Sequence, residues 1–309
     1  MTPYKKRSCP ITMRLAEDLM IRNMADATID AYTYHVRRLA DFIKKPLDRV
    51  TPEDVRTFQL HLIQDKNLAY STFNQAVCAL RFYYRHTEPM PWPVTMVPFG
   101  KRPKTLPVVL SRHEIEKLFQ CTTNLKQRTF MMTLYSGGLR FSEAARLKVA
   151  DIDSQRMMIH VACGKGKKDR FVPLSPRLLE QLRAYWIKYR PTGSLLFPGK
   201  TPEKPYADTS IRKAIKAAAV KASIQKRVYP HVLRHSYATG LLEAGVDLLT
   251  ISRLLGHSSF ATTMRYLHCR QEHLHSTPSP LDWLPVQQLP TYTPPEENGL
   301  PNQPPPPSP

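Results

Sequence analysis

The chain has 309 residues, room for about two domains at ~100–200 residues each. It carries 45 Lys and Arg against 25 Asp and Glu, a net charge of +20 with a pI near 9.9, which points to a polyanionic partner. No apolar run approaches the ~18–20 residues of a membrane span, the N-terminus lacks the uninterrupted apolar stretch of a secretory signal, and Cys9, Cys78, Cys121, Cys163 and Cys269 are odd in number with no C-x-x-C spacing, which argues against a disulfide framework and suits a reducing cytoplasm.

Residues 1–10 read as a basic tail. From residue 11 to 88 the pattern is helical throughout. Thr28 to Tyr32 opens an amphipathic helix through Val36, Leu39 and Phe42. Thr51-Pro52-Glu53-Asp54 is a start signal, with Thr as N-cap, Pro at the first helical position and acids in the first turn. Val55, Phe58 and Leu62 follow on that helix, and Ser71 opens another carrying Phe73, Val77, Leu80 and Tyr84. Arg37, Arg38, Arg81 and Arg85 fall at exposed positions of this bundle. Residues 89–110 hold six prolines, together with Lys101, Arg102 and Lys104, and read as an extended basic linker.

The second domain, residues 111–275, begins with a capping box at Ser111-x-x-Glu114. Residues 130–147 read as helix, glycine turn and helix, with Gly137 and Gly138 leading Arg140 into the second helix. Met157–Ala162 and Arg170–Leu174 are strand-like runs joined by a Gly-Lys turn, a hairpin. Helices fill 175–189 and 208–223. His231, Arg234 and His235 share one helical face, Asp247 caps a helix through Leu248, Ile251 and Leu255, and Gly256 stops it. The tail, residues 276–309, contains twelve prolines and three acids but no Lys or Arg, and is expected to be disordered or polyproline. The fold class is thus mainly α with a small β-sheet, in two domains.

Four motifs stand in order along the second domain. They are Gly138-Leu139-Arg140-Phe141-Ser142-Glu143, the turn Gly164-Lys165-Gly166-Lys167-Lys168-Asp169-Arg170, the pair His231 and Arg234, and Gly256-His257 with Tyr266 nine residues on. Together they resemble the tyrosine recombinases (phage integrases and Xer-type recombinases). The resemblance covers residues from about 11 to 270 and implies a helical core-binding domain that clamps one side of double-stranded DNA, followed by a catalytic domain. It implies site-specific strand cleavage and rejoining through a 3′-phosphotyrosyl intermediate, in DNA integration or recombination, with a mobile element among the expected settings. A homo-oligomer is implied too, a dimer on a site and a tetramer in synapsis, in the prokaryotic cytoplasm and nucleoid.

The residue chemistry agrees. Cutting a phosphodiester needs a nucleophile, a proton acceptor, a proton donor and fixed positive charge. Tyr266 is the nucleophile candidate, because a covalent ester splits one hard step into two. Arg140 and Arg234 can fork onto the non-bridging oxygens. The resemblance makes Lys165 the general acid for the leaving oxygen, His231 the acceptor for Tyr266, His257 a further donor and Glu143 a supporting acid. Arg37, Arg38, Arg81, Arg85, Lys101, Arg102, Lys104, Lys167, Lys168 and Arg170 are expected DNA contacts. No cofactor and no metal are expected: His231 and His235 at i and i+4 lack the glutamate of H-E-x-x-H, and His268, Cys269, His273 and His275 match no zinc spacing. The alternative is a non-catalytic helix-turn-helix regulator built on Leu241–Ile251. Relatives often carry a further helix after the nucleophile. Here Leu281, Trp283 and Leu284 are expected to dock in its place, into a neighbouring protomer or back onto their own.

Overall fold

The computed structural model describes residues 10–101, 107–162, 169–257, 259–264 and 266. The chain divides into two compact units between residues 105 and 106. The expected basic tail and the proline-rich C-terminal tail lie outside the described residues, apart from Pro10 at the start of the first helix.

The N-terminal unit is a bundle of four helices, α1 (Pro10–Ile21), α2 (Asp26–Ile43), α3 (Pro52–Gln64) and α4 (Tyr70–Phe82). The start of α3 follows the sequence: Oγ1 of Thr51 accepts from the Asp54 amide, and Asp54 Oδ2 accepts from the Thr51 amide at 2.8 Å, a reciprocal cap with Pro52 behind it. Leu15, Leu19, Ile29, Val36, Leu39, Phe58, Leu62, Val77 and Leu80 are buried together. This is the apolar stripe of each helix turned inward.

The segment expected as an extended linker is partly taken up by this unit. Trp92 donates from Nε1 to the Val50 carbonyl at 3.2 Å, Gln59 Nε2 donates to the Pro98 carbonyl at 3.1 Å, and Val97 is buried. Asn74 both accepts from the Gly100 amide at 2.9 Å and donates to its carbonyl at 3.1 Å. Prolines keep the segment from α-helix and ladder, leaving a 3₁₀ turn at Val94–Met96, and side-chain amides of α3 and α4 bind its backbone instead. Partners so distant in sequence leave no mark in local composition.

The C-terminal unit contains α5 (Arg112–Gln120), α6 (Leu125–Ser136), α7 (Phe141–Arg146), β1 (Ile152–Asp153), β2 (Met158–Val161), β3 (Arg170–Pro173), α8 (Pro176–Tyr189), α9 (Asp208–Lys221), α10 (Pro230–Glu243) and α11 (Leu248–Leu255). The strands form one antiparallel sheet in the order β1-β2-β3, with Ile159 opposite Val172 and both buried. The expected hairpin is there, and β1 adds a two-residue third strand too short to show a period. Helices and sheet close over Leu118, Phe130, Leu134, Ile159, Val172, Phe197, Ile215 and Val232. A second, smaller cluster joins Ala238, Leu242, Ile251, Leu255 and Tyr266. Ser236 on α10 ties the unit's beginning to its end, accepting from the Leu110 amide at 2.9 Å.

Candidate active site

The site is built on the C-terminal end of α11. Asp247 caps the helix start by accepting from the Thr250 amide at 2.9 Å, and Gly256 ends it in the left-handed region at φ +60°. A helix end leaves carbonyls without intrahelical donors and carries partial negative charge. Here three arginines take three successive carbonyls. Arg170 Nε donates to Leu254 at 2.7 Å, Arg234 Nη2 to Leu255 at 2.6 Å, and Arg140 Nη2 to Gly256 at 3.1 Å.

The same three guanidiniums surround Glu143. Arg170 grips it with two hydrogen bonds, 3.1 and 2.8 Å, Arg140 Nη1 donates to Oε1 at 2.6 Å, and Arg234 Nη1 lies 3.8 Å from Oε2. Burial opposes ionisation of this carboxyl, but the bonds and charge of Arg170 and Arg140 outweigh it and hold its pKa at about 2. One carboxylate therefore faces three cations, leaving surplus positive charge fixed before any ligand arrives. Desolvation and the neighbouring Arg140 push Arg234 down to about 10, still charged at neutral pH.

Gly138 and Gly256 make this closeness possible. Gly138 has φ +58°, its carbonyl accepts from Arg234 Nη1 at 2.8 Å, and a Cβ there would fall 2.4 Å from the Tyr237 ring. A Cβ on Gly256 would meet the Arg170 side chain at 3.0 Å.

The imidazoles and the phenol border the arginines. His257 follows the α11 stop, with Nδ1 2.8 Å from Thr263 Oγ1. Burial, then Arg234, Arg140 and Arg170, lower its pKa to about 4, so the ring is neutral at pH 7. His231 sits in the first turn of α10, its pKa also lowered by the protein around it and by Arg234, Arg140 and Arg212. Tyr266 is 2% exposed, and its Oη lies 2.9 Å from Nδ1 of His235. This arrangement gathers the Arg140 and Arg234 guanidiniums, neutral imidazoles and a phenol within one unit.

Comparison with known proteins agrees with that geometry. Residues 108–273 match the Phage integrase family, and residues 11–94 match the Phage integrase, N-terminal SAM-like domain. The protein y4qK of Sinorhizobium fredii is 42% identical over 287 residues, covering 93% of this chain and 92% of its own. The tyrosine recombinase XerA of Thermococcus kodakarensis is 36% identical over 252 residues, covering 80% and 86%. The chain belongs to the tyrosine recombinase family. It is a tyrosine-type site-specific recombinase that binds DNA and cleaves and rejoins its strands, which sets aside the regulator alternative. Among solved folds, the XerA recombinase crystal structure aligns with TM-score 0.51 at 30% identity over 86% of this chain and 96% of that one. A XerH recombinase structure aligns with TM-score 0.70 at 21% identity over 87% and 84%, a likeness of fold.

Of the residues the sequence nominates in this recombinase, Arg140, Glu143, Arg234, His257 and Tyr266 come together around α11, with His231 at the start of the adjoining α10. Lys165, Lys167 and Lys168 lie outside the described residues, as do Arg102 and Lys104. Arg37, Arg85 and Lys101 are exposed, and Arg38 lies over the Tyr34 ring at 5.6 Å.

Two expected DNA contacts have other employment. Arg170 is spent on Glu143 and the Leu254 carbonyl, its side chain 8% exposed. Arg81 donates from Nε to the Val97 carbonyl at 2.8 Å and stacks over Phe99 at 4.4 Å. The period-2 rule carried the signal for Arg170: Phe171 points out, 59% exposed, so Arg170 shares the inward face with buried Val172. His235 was missed as a site residue. Its i+4 spacing from His231 on one helical face was the available clue.

Among the described residues, no cluster of three His, Cys, Asp or Glu side chains could hold a metal ion. No helix among them is long and apolar enough to cross a membrane.

Proposed function

We propose that this recombinase cuts through Tyr266, leaving a 3′-phosphotyrosyl link, with Arg140 and Arg234 clamping the scissile phosphate. The observation that carries this reading is the gathering of Arg140, Arg234, His257 and Tyr266 around one helix end, with Glu143 and Arg170 holding the arginines in place. Charge fixed in advance where it grows in the transition state is the largest catalytic contribution such a site can make. His257 donates to a non-bridging oxygen, and the bound phosphate raises its depressed pKa. His231, in the first turn of α10, has the helix N-terminus beside it to favour the anion. Lys165, on the hairpin turn, protonates the leaving 5′ oxygen. The energy of the linkage is kept in the phosphotyrosine, so rejoining needs no nucleotide cofactor.

Residues 11–88 act as the clamp on the duplex, residues 89–110 connect it to the catalytic domain 111–275, and residues 276–309 form a tail. Arg37, Arg38, Arg85, Lys101, Arg102, Lys104, Lys167 and Lys168 supply phosphate contacts. The protein works in the prokaryotic cytoplasm on the nucleoid, as a dimer on a site and a tetramer in synapsis. In support, a lambda integrase of related fold is described as a dimer bound to a core site. Another fold relative is the integrase of the transposon Tn1549 in complex with circular intermediate DNA, which favours a mobile-element role.

The test is covalent trapping. The full chain is incubated with a pool of nicked random duplexes, and DNA bound to protein after denaturation is sequenced, which also reveals the target. Tyr266→Phe is expected to bind DNA and form no adduct, and an adduct with that variant overturns the assignment. Trapping should survive EDTA, because guanidinium and imidazole groups stand where a metal would supply charge. Loss with chelator and recovery with zinc or magnesium would refute the metal-free mechanism.

A further inference from the structure

The contact between Tyr266 and His235 supports one more assignment, resting on Tyr266 as the nucleophile. A phenol titrates near 10 in water, so the hydroxyl of Tyr266 must lose its proton as the oxygen bonds to phosphorus. A proton acceptor has to lie within hydrogen-bond reach of the atom it serves, about 2.6–3.2 Å. Nδ1 of His235 satisfies this at 2.9 Å, with ring centroids 5.7 Å apart. Tyr266 is buried against Ala238, Leu242, Ile251 and Leu255, which fixes the phenol in that approach. His231, the acceptor expected from the sequence, lies one turn earlier, its ring centroid 6.4 Å from that of His235.

The placement of His235 is itself rigid. It follows Arg234, whose guanidinium is pinned by the Gly138 and Leu255 carbonyls, and precedes Ser236, which holds the Leu110 amide. The proton acceptor and the phosphate clamp are thus consecutive residues of α10. The ionisable groups around it include His231 and Arg234 on its own helix, His257 after α11, and Tyr266.

We infer that His235 is the proton acceptor for Tyr266 in strand cleavage. As the Tyr266 Oη–phosphorus bond forms, the hydroxyl proton passes to Nδ1 of His235. The bond from phosphorus to the 5′ oxygen breaks, and that oxygen takes its proton from the general acid proposed above. Rejoining runs the same path backwards: a 5′ hydroxyl attacks the phosphotyrosine, and the departing Tyr266 oxygen recovers its proton from His235. Histidine 235 therefore needs the neutral tautomer with hydrogen on Nε2.

The experiment compares the full chain with His235→Ala, His235→Asn and Tyr266→Phe, by the rate of adduct formation on a trapped nicked site. His235→Ala is expected to slow adduct formation by about 10²–10⁴-fold. His235→Asn is expected to stay within about tenfold of the Ala variant, because an amide accepts a hydrogen bond but not a proton. A second readout needs no activity. In ¹⁵N spectra of the DNA-free protein, His235 should show an unprotonated Nδ1 whose resonance moves in Tyr266→Phe. The inference is overturned if His235→Ala cleaves within about threefold of the parent, if His235→Asn restores the full rate, or if Nδ1 carries the proton. An adduct with Tyr266→Phe would fell the nucleophile assignment and this one together. Unimpaired His235→Ala beside inert Tyr266→Phe fells only this one.

Discussion

The two units spend their arginines in opposite ways. On the N-terminal bundle Arg37 and Arg85 stand in solvent, and the core beneath them, with Leu39 and Leu80, is mostly apolar and holds no arginine, His35 and Gln59 being among its few buried polar residues. In the C-terminal unit Arg140, Arg170 and Arg234 turn inward onto one carboxylate and one helix end. Exposed arginines cost the fold almost nothing and remain free for a polyanion. Buried ones cost desolvation and are stable only with partners in place. The difference is between charge that meets the duplex anywhere and charge that must stand ready at one phosphorus atom.

Glu143 is where that contrast can be broken most forcefully. Glu143→Gln removes the negative charge shared by three guanidiniums while keeping nearly the same shape. Arg170 and Arg234 are 8% and 4% exposed in their side chains, so two buried cations lose their counterion. The expected loss is about 3–5 kcal/mol of stability, read as a fall in urea midpoint. A change below about 1 kcal/mol would mean that the helix-end carbonyls alone hold the arginines, and the cage as described would be wrong.

Much of this site was legible in the sequence, and the limits have physical causes. Caps and stops write themselves locally, so Thr51, Ser111, Asp247 and Gly256 stand where their residue types say they should. The motif residues were legible because their order and spacing are distinctive. What was not legible depends on partners far apart in sequence. Arg170 looks like one more basic residue of a lysine-rich turn until Glu143, 27 residues away, comes beside it. Arg81 finds the Val97 carbonyl in the proline-rich segment after α4, 16 residues away. The hydrogen bond of Tyr266 to His235 spans 31 residues, and nothing in local periodicity distinguishes His235 from His231.

A smaller effect separates the units by pH. His257 titrates at about 4 in the folded protein against 6.5 in a free histidine, so between those values the unfolded chain binds more protons. Stability therefore rises with pH across that window and is lost as pH falls through it. Glu143 adds a second loss between 4.5 and about 2, again because the unfolded chain holds the extra proton. In the N-terminal unit buried His35 is also lowered, by burial and then Arg38. Phosphate should distinguish the two histidines, since only His257 borders the arginine cage. DNA binding near pH 5.5 should draw protons from the buffer, measurable by calorimetry in buffers of different ionisation enthalpy. His257→Asn should lower that uptake, with His231 beside the same arginines supplying the remainder, and His35→Asn should leave it unchanged. Equal uptake in both variants would show that the phosphate does not reach His257.

The gentlest perturbation tests the solvent side of the comparison. Arg37→Ala and Arg85→Ala remove exposed cations from helices whose buried faces are elsewhere, so each should change stability by about 0.5 kcal/mol or less. Their effect on DNA should be larger and of a particular kind. Each phosphate contact releases counterions on binding, so removing one lowers the slope of log affinity against log salt by about 1. Because such contacts carry no base information, the loss should be the same on a target site and on random duplex. Arg170→Ala provides the opposite pattern: the fold should weaken markedly, and the salt slope, measured below its unfolding transition, should be unchanged. The decisive measurement is therefore a pair of numbers for each variant, stability and salt slope. If Arg37→Ala and Arg85→Ala leave the slope intact, the duplex does not lie along that face of the bundle. If Arg170→Ala lowers it, Arg170 leaves Glu143 for a phosphate when DNA binds, and the cage is a resting arrangement rather than a fixed one.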